Sequence, residues 1–412
     1  MGLATRLTWE GRGHYHHKIP SSLAPSSTSQ RQQRNQNIRE GKRGQKMPTP
    51  PPQSEIYLHQ PFNSINKTLQ PHRKTYVIYF VTGNPGLIEY YRTFLTHLYG
   101  ALLSDSSSQN NAIRFHVYGR SFSGFEVDGS DAAEVAKHAT TPPPYSLDEQ
   151  IAHSEAAVEE LVRHVREENV DDGEQDVRVI LMGHSVGAYV LLEMTRRLRE
   201  KAKKLGPRES VRVVGGVCLF PTVTHIALSD SGRKSSWLLN IRPFARIASV
   251  LAKLLTLPLP VAALTLLIRG VMRFPADAAH TTASFVKSAS GVRQALHMAR
   301  DEMLQITTDD WDEEIWGTAE QGQYEGLPSP ILRFLFAKSD HWVANETRDE
   351  LMKARGAVSG REGDVVEEWR PIMEIDEKEG WPHGFCIKHS IPVADRVFGY
   401  VRDIVEMDSQ KH

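Results

Sequence analysis

Gly183-His184-Ser185-Val186-Gly187 sets one serine between two glycines, directly after the β-branched run 177–182 and directly before the apolar, helix-compatible run 188–194. A serine hydroxyl is a poor nucleophile near neutral pH. It becomes an effective one on a sharp strand-to-helix turn, with a base beside it to take the proton. Such a turn strains the serine torsions and presses its neighbours against backbone, so small residues are needed on both sides. Gly183 and Gly187 meet that need. A helix beginning at Val186 would aim its free N–H groups and the positive end of its dipole at a developing oxyanion. A chance match in a loop would lack the strand before it and the helix after it.

The partners of such a serine follow it in the order acid, then histidine. The strand-like run 331–337 leads into Lys338-Ser339-Asp340-His341-Trp342, which puts Asp340 at the C-terminal end of a strand, where α/β sheets place their ligands. Asp340 is the expected acid; the competing role is a helix cap before residue 345. Among the histidines downstream, His341 adjoins the acid and His412 lies at the terminus. His383, in Trp381-Pro382-His383-Gly384-Phe385, sits on a Pro- and Gly-flanked loop ahead of the last helix and is the expected base, with His389 the runner-up. A second oxyanion donor is expected from Val81-Thr82-Gly83-Asn84-Pro85-Gly86-Leu87. Pro85 has no N–H, so the backbone of Asn84 is assigned to the oxyanion hole together with that of Val186. This glycine-rich loop does not match the spacing of a phosphate or dinucleotide loop.

These residues need a scaffold. Strands are predicted at 74–81, 113–118, 177–182, 211–220 and 331–337, alternating with helices at 88–103, 146–166, 186–203, 345–353 and 392–406. Ser146-Leu147-Asp148-Glu149 has the spacing of a capping box. About 110 residues separate the strands ending at 220 and starting at 331, far more than one crossover helix requires. The expected fold is of the α/β class, an α/β-hydrolase fold with a mostly parallel central sheet, helices on both faces and an inserted apolar helical lid. Its partition is a disordered segment 1–52, a first core part 53–222, an insertion 223–328 and a second core part 329–412.

Composition excludes several alternatives. With 49 basic and 50 acidic residues among 412, no global positive field exists to gather nucleic acid. Two cysteines, Cys218 and Cys386, are too few for a disulfide framework or a zinc cluster, and neither a metal nor a cofactor is expected. The first residues lack an apolar core of signal-peptide length, and Arg6 stands where a myristoylation signal requires Ser or Thr. Met47 is an alternative start.

From Ser231 to Phe274 there is no Asp or Glu, whereas Arg233, Lys234, Arg242, Arg246, Lys253, Arg269 and Arg273 are spread among leucines, isoleucines and alanines. The charge-free stretch 254–268 is shorter than the roughly 20 residues of a spanning helix, and Pro258 and Pro260 interrupt it. Two short helices meeting there would form a hairpin that dips into one leaflet, with the cations at anionic headgroups. The plainer alternative is a cap whose leucines are buried over the site.

Five segments together resemble the lipid-droplet-associated serine hydrolases: Gly83-Asn84-Pro85-Gly86-Leu87-Ile88-Glu89-Tyr90-Tyr91 with Phe94-Leu95, Tyr145-Ser146-Leu147 with Gln150 and His153, residues 183–189, Phe220-Pro221-Thr222, and Pro382-His383-Gly384-Phe385. The resemblance implies an α/β-hydrolase at lipid droplets and the endoplasmic reticulum, on the cytosolic side, acting on lipid or sterol esters through Ser185, Asp340 and His383. This chain departs from the family pattern by its long polar N-terminus and by the loop with Gly356, Gly360 and Gly363. The expected function is therefore hydrolysis of lipid or sterol carboxylic esters at the droplet monolayer or reticulum membrane. The alternatives are a largely non-catalytic droplet structural or recruitment protein on the same scaffold, and an esterase or thioesterase for small soluble substrates.

Overall fold

The computed structural model describes residues 55–60, 74–105, 113–125, 142–168, 176–206, 209–316, 328–357 and 370–410. The expected disordered segment 1–52, the alternative start Met47 and His412 lie outside them. Seven strands form one sheet: β1 (Glu55–His59), β2 (Lys74–Val81), β3 (Ile113–Arg120), β4 (Val177–His184), β5 (Arg212–Leu219), β6 (Ile331–Ala337) and β7 (Ile372–Asp376). The order across the sheet is β1-β3-β2-β4-β5-β6-β7, with only the β1 pairing antiparallel. With the serine turn following the central strand β4, this is the α/β-hydrolase fold.

Period-two alternation in the strands builds two cores, one on each face. Val77, Tyr79 and Val81 of β2, Val179 and Leu181 of β4, and Leu332, Phe334 and Phe336 of β6 belong to one. Their neighbours Tyr76, Ile78, Phe80, Ile180, Met182, Ile331 and Leu335 belong to the other. Both sets are buried, so these strands read as nearly continuous apolar runs, broken by Arg178 in β4 and Arg333 in β6. Helices α1 (Arg92–Ser104), α2 (Leu147–Glu168) and α3 (Val186–Leu205) follow β2, β3 and β4 in the chain. Among the described residues five more, α4 (Asp230–Leu239), α5 (Phe244–Thr256), α6 (Val261–Met272), α7 (Ala276–Lys287) and α8 (Gly291–Gln305), lie between β5 and β6; α9 (Asn345–Arg355) follows β6 and α10 (Ser390–Gln410) follows β7. Leu161 and Leu198 place α2 and α3 on the first core, while Leu98 and Val401 place α1 and α10 on the second. The helix expected from residue 88 starts as a 3-10 turn over Ile88–Tyr91 and becomes α only at Arg92.

At the N-terminal ends of the central strands, Arg178 and Asp408 form an ion pair with both side chains 2% exposed, and Tyr76 Oη donates to Asp408 Oδ2 at 2.7 Å. Asp176 also pairs with Arg178 but is partly solvated. Removing one partner of a buried pair leaves a desolvated charge, so Asp408→Ala is expected to destabilise the fold by about 3 kcal/mol. Glu406→Ala, on the same helix and 62% exposed beside Arg402, which is itself 54% exposed, should change stability by less than about 1 kcal/mol. Urea unfolding of the two variants checks the contrast.

In the insertion, α5 and α6 meet at Pro258 to Pro260 with their axes bent by 103°. Among the described residues no single helix is long and apolar enough to cross a membrane. The apolar stripe of α5 falls at i, i+3, i+4, i+7 and i+8, the spacing that normally faces a core. Here Ile247, Val250, Leu251, Leu254 and Leu255 are all exposed, and the buried residues of the helix are Ser249 and Thr256. At the bend Leu257 is 75% exposed, and on α6 Leu266, Leu267 and Val271 are exposed while Leu264 and Ile268 pack on Ala279 and Ala283. Lys287 of α7 donates to the carbonyls of Thr256, the last residue of α5, and of Leu259 in the bend, both at 2.8 Å, which fastens the bend.

Candidate active site

Ser185 has φ 55° and ψ −124°, torsions an L residue rarely adopts, and the surrounding hydrogen bonds hold it there. Its N–H donates to Leu219 O at 3.0 Å, and its carbonyl accepts from Ala188 N at 2.9 Å and Thr222 N at 3.3 Å. A Cβ at Gly183 would lie 2.2 Å from Gly187 O, and one at Gly187 would lie 2.4 Å from Val81 O. Both flanking positions therefore exclude any side chain. The serine stands at the C-terminal end of β4 and at the N-cap of α3.

The structure brings Ser185, His383 and Asp340 together. His383 Nε2 lies 2.9 Å from Ser185 Oγ, and His383 Nδ1 lies 2.7 Å from Asp340 Oδ2. Asp340 Oδ1 accepts Trp342 N–H at 2.8 Å, so both carboxylate oxygens are engaged. Burial pushes the Asp340 carboxyl up, but the hydrogen bond and charge of His383 and the Trp342 N–H outweigh it and hold it below the ordinary carboxylate range. A carboxylate can only accept, so Nδ1 carries the proton and Nε2 is free to accept from the serine hydroxyl. That polarity is the one proton removal from Ser185 requires. His341 is exposed, and its carbonyl accepts Ser231 N–H at 2.9 Å; His389 lies just before α10, where its carbonyl accepts Val393 N–H at 3.2 Å. Neither joins the cluster.

His184 and Tyr91 tie the two loops around Ser185 to the turn itself, and sequence reasoning does not single out either side chain. His184 Nε2 lies 2.8 Å from His383 O, which can only accept, so this nitrogen carries the proton. Nδ1, 2.8 Å from Tyr91 Oη, then accepts from the hydroxyl, and Tyr91 Oη accepts Gly83 N–H at 3.1 Å. Phe385, fully buried two residues after His383, packs on Phe94, Phe220 and His184 with centroid distances of 5.2–5.4 Å and anchors that loop.

Burial, with the charge of His383 adding to it, lowers the His184 pKa to about 3, so its imidazole is neutral in the folded protein. In the unfolded chain it titrates near its ordinary 6.5, so between about pH 6.5 and 3 the unfolded state binds the extra proton. Stability linked to this group is present above pH 6.5 and is lost as pH falls through that window. Unfolding free energies of His184→Asn between pH 6.5 and 4 should show a slope shallower than that of the unsubstituted protein by about 1 kcal/mol per pH unit.

The Asn84 loop lies directly over the nucleophile, since a Cβ at Gly83 would be 3.2 Å from Ser185 Cβ. Among the described residues, the N–H groups of Asn84 and Val186 have no protein acceptor. The Asn84 side chain points away, its Nδ2 donating to Glu302 Oε1 at 2.8 Å and to Ala295 O at 3.0 Å, both on α8. Tyr90 Oη lies 2.8 Å from Thr282 Oγ1 of α7.

The family model described as "Lipid-droplet associated hydrolase" matches residues 74–386, three quarters of the chain and every residue of the cluster. The chain belongs to this family. Curated relatives named "Lipid droplet-associated hydrolase" include one from Gallus gallus, 24% identical over 83% of this chain and 90% of the relative. Another, from Homo sapiens, is 25% identical over 80% of this chain and 86% of the relative. Among solved structures, the peroxisomal alpha-beta-hydrolase Lpx1 from Saccharomyces cerevisiae is similar with a TM-score of 0.47 and 10% identity, covering 86% of this chain and 89% of that one. DBJA is similar with a TM-score of 0.48 and 12% identity, covering 85% and 94%. As a member of this family the chain is a hydrolase, and its own sheet and serine turn are those of the α/β-hydrolase fold. Its long GNPGLIEYY segment spans Gly83, Asn84, Tyr90 and Tyr91, which touch the turn and the insertion.

Proposed function

We propose that this chain hydrolyses carboxylic esters of lipids or sterols with Ser185 as nucleophile, His383 as base and Asp340 as the orienting acid. The observation that carries the reading is the continuous hydrogen-bonded chain from Ser185 Oγ through both nitrogens of His383 to a buried Asp340 carboxylate. Ser185 Oγ attacks the ester carbonyl carbon as His383 Nε2 takes its proton. The carbonyl oxygen becomes an oxyanion, held by the N–H groups of Asn84 and Val186. The C–O bond to the alcohol then breaks, and His383 returns the proton to the departing oxygen. Water, deprotonated by His383, attacks the acyl carbon; the bond from that carbon to Ser185 Oγ then breaks, His383 returns the proton to Oγ, and the acid leaves. No cofactor, metal or nucleic acid enters this scheme.

The droplet association of the family and the outward stripe of α5 support a place for this chemistry at a lipid surface, either the droplet monolayer or the cytosolic face of the endoplasmic reticulum. In this reading α5 and α6 lie in one leaflet as a lid and anchor, with the exposed Arg242, Arg246, Arg269 and Arg273 at anionic headgroups. Burying one leucine side chain is worth about 1.5–3 kcal/mol. Leu255→Asp with Leu257→Asp is therefore expected to weaken partitioning onto vesicles of phosphatidylcholine with a fifth phosphatidylserine by at least about 100-fold. Flotation of both proteins with the vesicles measures this, and equal flotation contradicts the anchor. The substrate class is tested by turnover of emulsified sterol and glycerol esters against a short soluble ester. Preference for the emulsions is expected.

A further inference from the structure

Glu302 makes a contact that the proposed chemistry does not use. Glu302 is 5% exposed and lies on α8, a helix of the insertion. Its Oε1 accepts from the Asn84 side chain, whose other donor hydrogen goes to Ala295 O on the same helix. Asn84 Oδ1 is buried without a partner, so the Asn84 amide is held on its donor side only, by α8 alone. The same loop has a second tie to the insertion through Tyr90 and Thr282 of α7. Helix α8 packs directly against α5, the helix with the outward apolar stripe. A carboxyl in the core normally pairs with a cation. Here burial, reinforced by the neighbouring Asp301, pushes the Glu302 pKa up to about 8, even though the bond from Asn84 pulls it down. At neutral pH Glu302 therefore serves as an uncharged acceptor, a role whose cost in burial needs a return elsewhere in the structure.

We infer that Glu302 is a positioning residue. By gripping the Asn84 side chain it sets the height of the Asn84 backbone N–H over Ser185 and makes the oxyanion loop move with the insertion. The inference rests on the ester-hydrolase reading of the Ser185 site. A shift of about 1 Å in an oxyanion donor leaves ground-state binding in place and weakens only the transition-state contact, so its effect falls on kcat rather than KM.

The test uses the full chain and a short soluble ester, so that lipid binding does not enter. Glu302→Leu, which fills the same space and removes the acceptor, should lower kcat about 10- to 100-fold with KM within about twofold. Glu302→Gln, whose amide oxygen still accepts from Asn84, should keep kcat within about threefold. Asn84→Ala, which retains the backbone N–H, should match the leucine variant, and the double variant should be no slower than the slower single one. A folded Glu302→Leu with kcat within threefold of the unsubstituted protein overturns the inference, as do multiplying effects in the double variant. Should Glu302→Leu not fold, Asn84→Ala decides by the same limits. Should the unsubstituted protein turn over no ester, the ester reading fails separately, and hydrogen exchange still decides the positioning claim. Amides of residues 83–91 should exchange at least 10-fold faster in Glu302→Leu or Asn84→Ala, and unchanged exchange overturns it.

Discussion

Replacing Ser185 by Ala is expected to lower kcat for a short soluble ester by about 10⁶-fold, and His383→Ala by a similar factor. The two changes should not multiply. In the proposed mechanism Ser185 and His383 act in one proton-transfer step across a 2.9 Å contact, so once either is gone the other has nothing to do. The double variant should retain the same residual rate, which comes from the oxyanion donors and from binding. The fold should tolerate the serine change, because the elbow is held by backbone hydrogen bonds of Ser185 and by the two glycines, not by its hydroxyl. Kinetics of the two single variants and the double variant check this. A further loss of 10³-fold or more in the double variant would mean that the two side chains contribute independently.

Asp340→Asn should lower kcat by about 10⁴-fold while KM stays near its original value. The shape of the site survives this substitution, because one side-chain oxygen can still accept Trp342 N–H. The proton on His383 does not stay where it was. An asparagine amide presents N–H to Nδ1, which then accepts, so the ring proton moves to Nε2 and faces Ser185 Oγ. A base with its proton on the wrong nitrogen cannot take another from the serine. Steady-state kinetics of a folded Asp340→Asn protein measure the effect, and a loss smaller than about 10-fold would remove Asp340 from the mechanism.

The strands that position these residues were legible where they are buried on both faces. The bounds of β2 and β6 agree with the sequence because each is apolar along most of its length, with Lys74 and Thr75 only at the start of β2 and Arg333 the one charged residue within β6. The edge strands β1 and β7 were not legible. Each has five residues, with Glu55 and His59 in one and Glu374 and Asp376 in the other, and such short charged segments carry no strand pattern until a neighbour supplies the ladder. The glycines around Ser185 point to a sharp turn from sequence alone, because only the smallest residues fit there. The contacts of His184, Tyr91 and Glu302 leave no such mark. Asn84 and Glu302 are 218 positions apart, and nothing local in either segment announces the other. Sequence also leaves open which side of α5 faces out, since a stripe at i, i+3, i+4 ordinarily turns inward. Its outward direction follows from Lys287 and the α6–α7 packing that fasten the hairpin.

The central claim is that Ser185 is an activated nucleophile, and its most direct measurement is labelling with a fluorophosphonate probe, which reacts with such serines. The unsubstituted protein should be labelled on Ser185, and Ser185→Ala should not be labelled at all. An unlabelled native protein that is folded, or a Ser185→Ala protein labelled as strongly as the native one, would contradict the account and favour a structural or recruiting protein at the droplet surface.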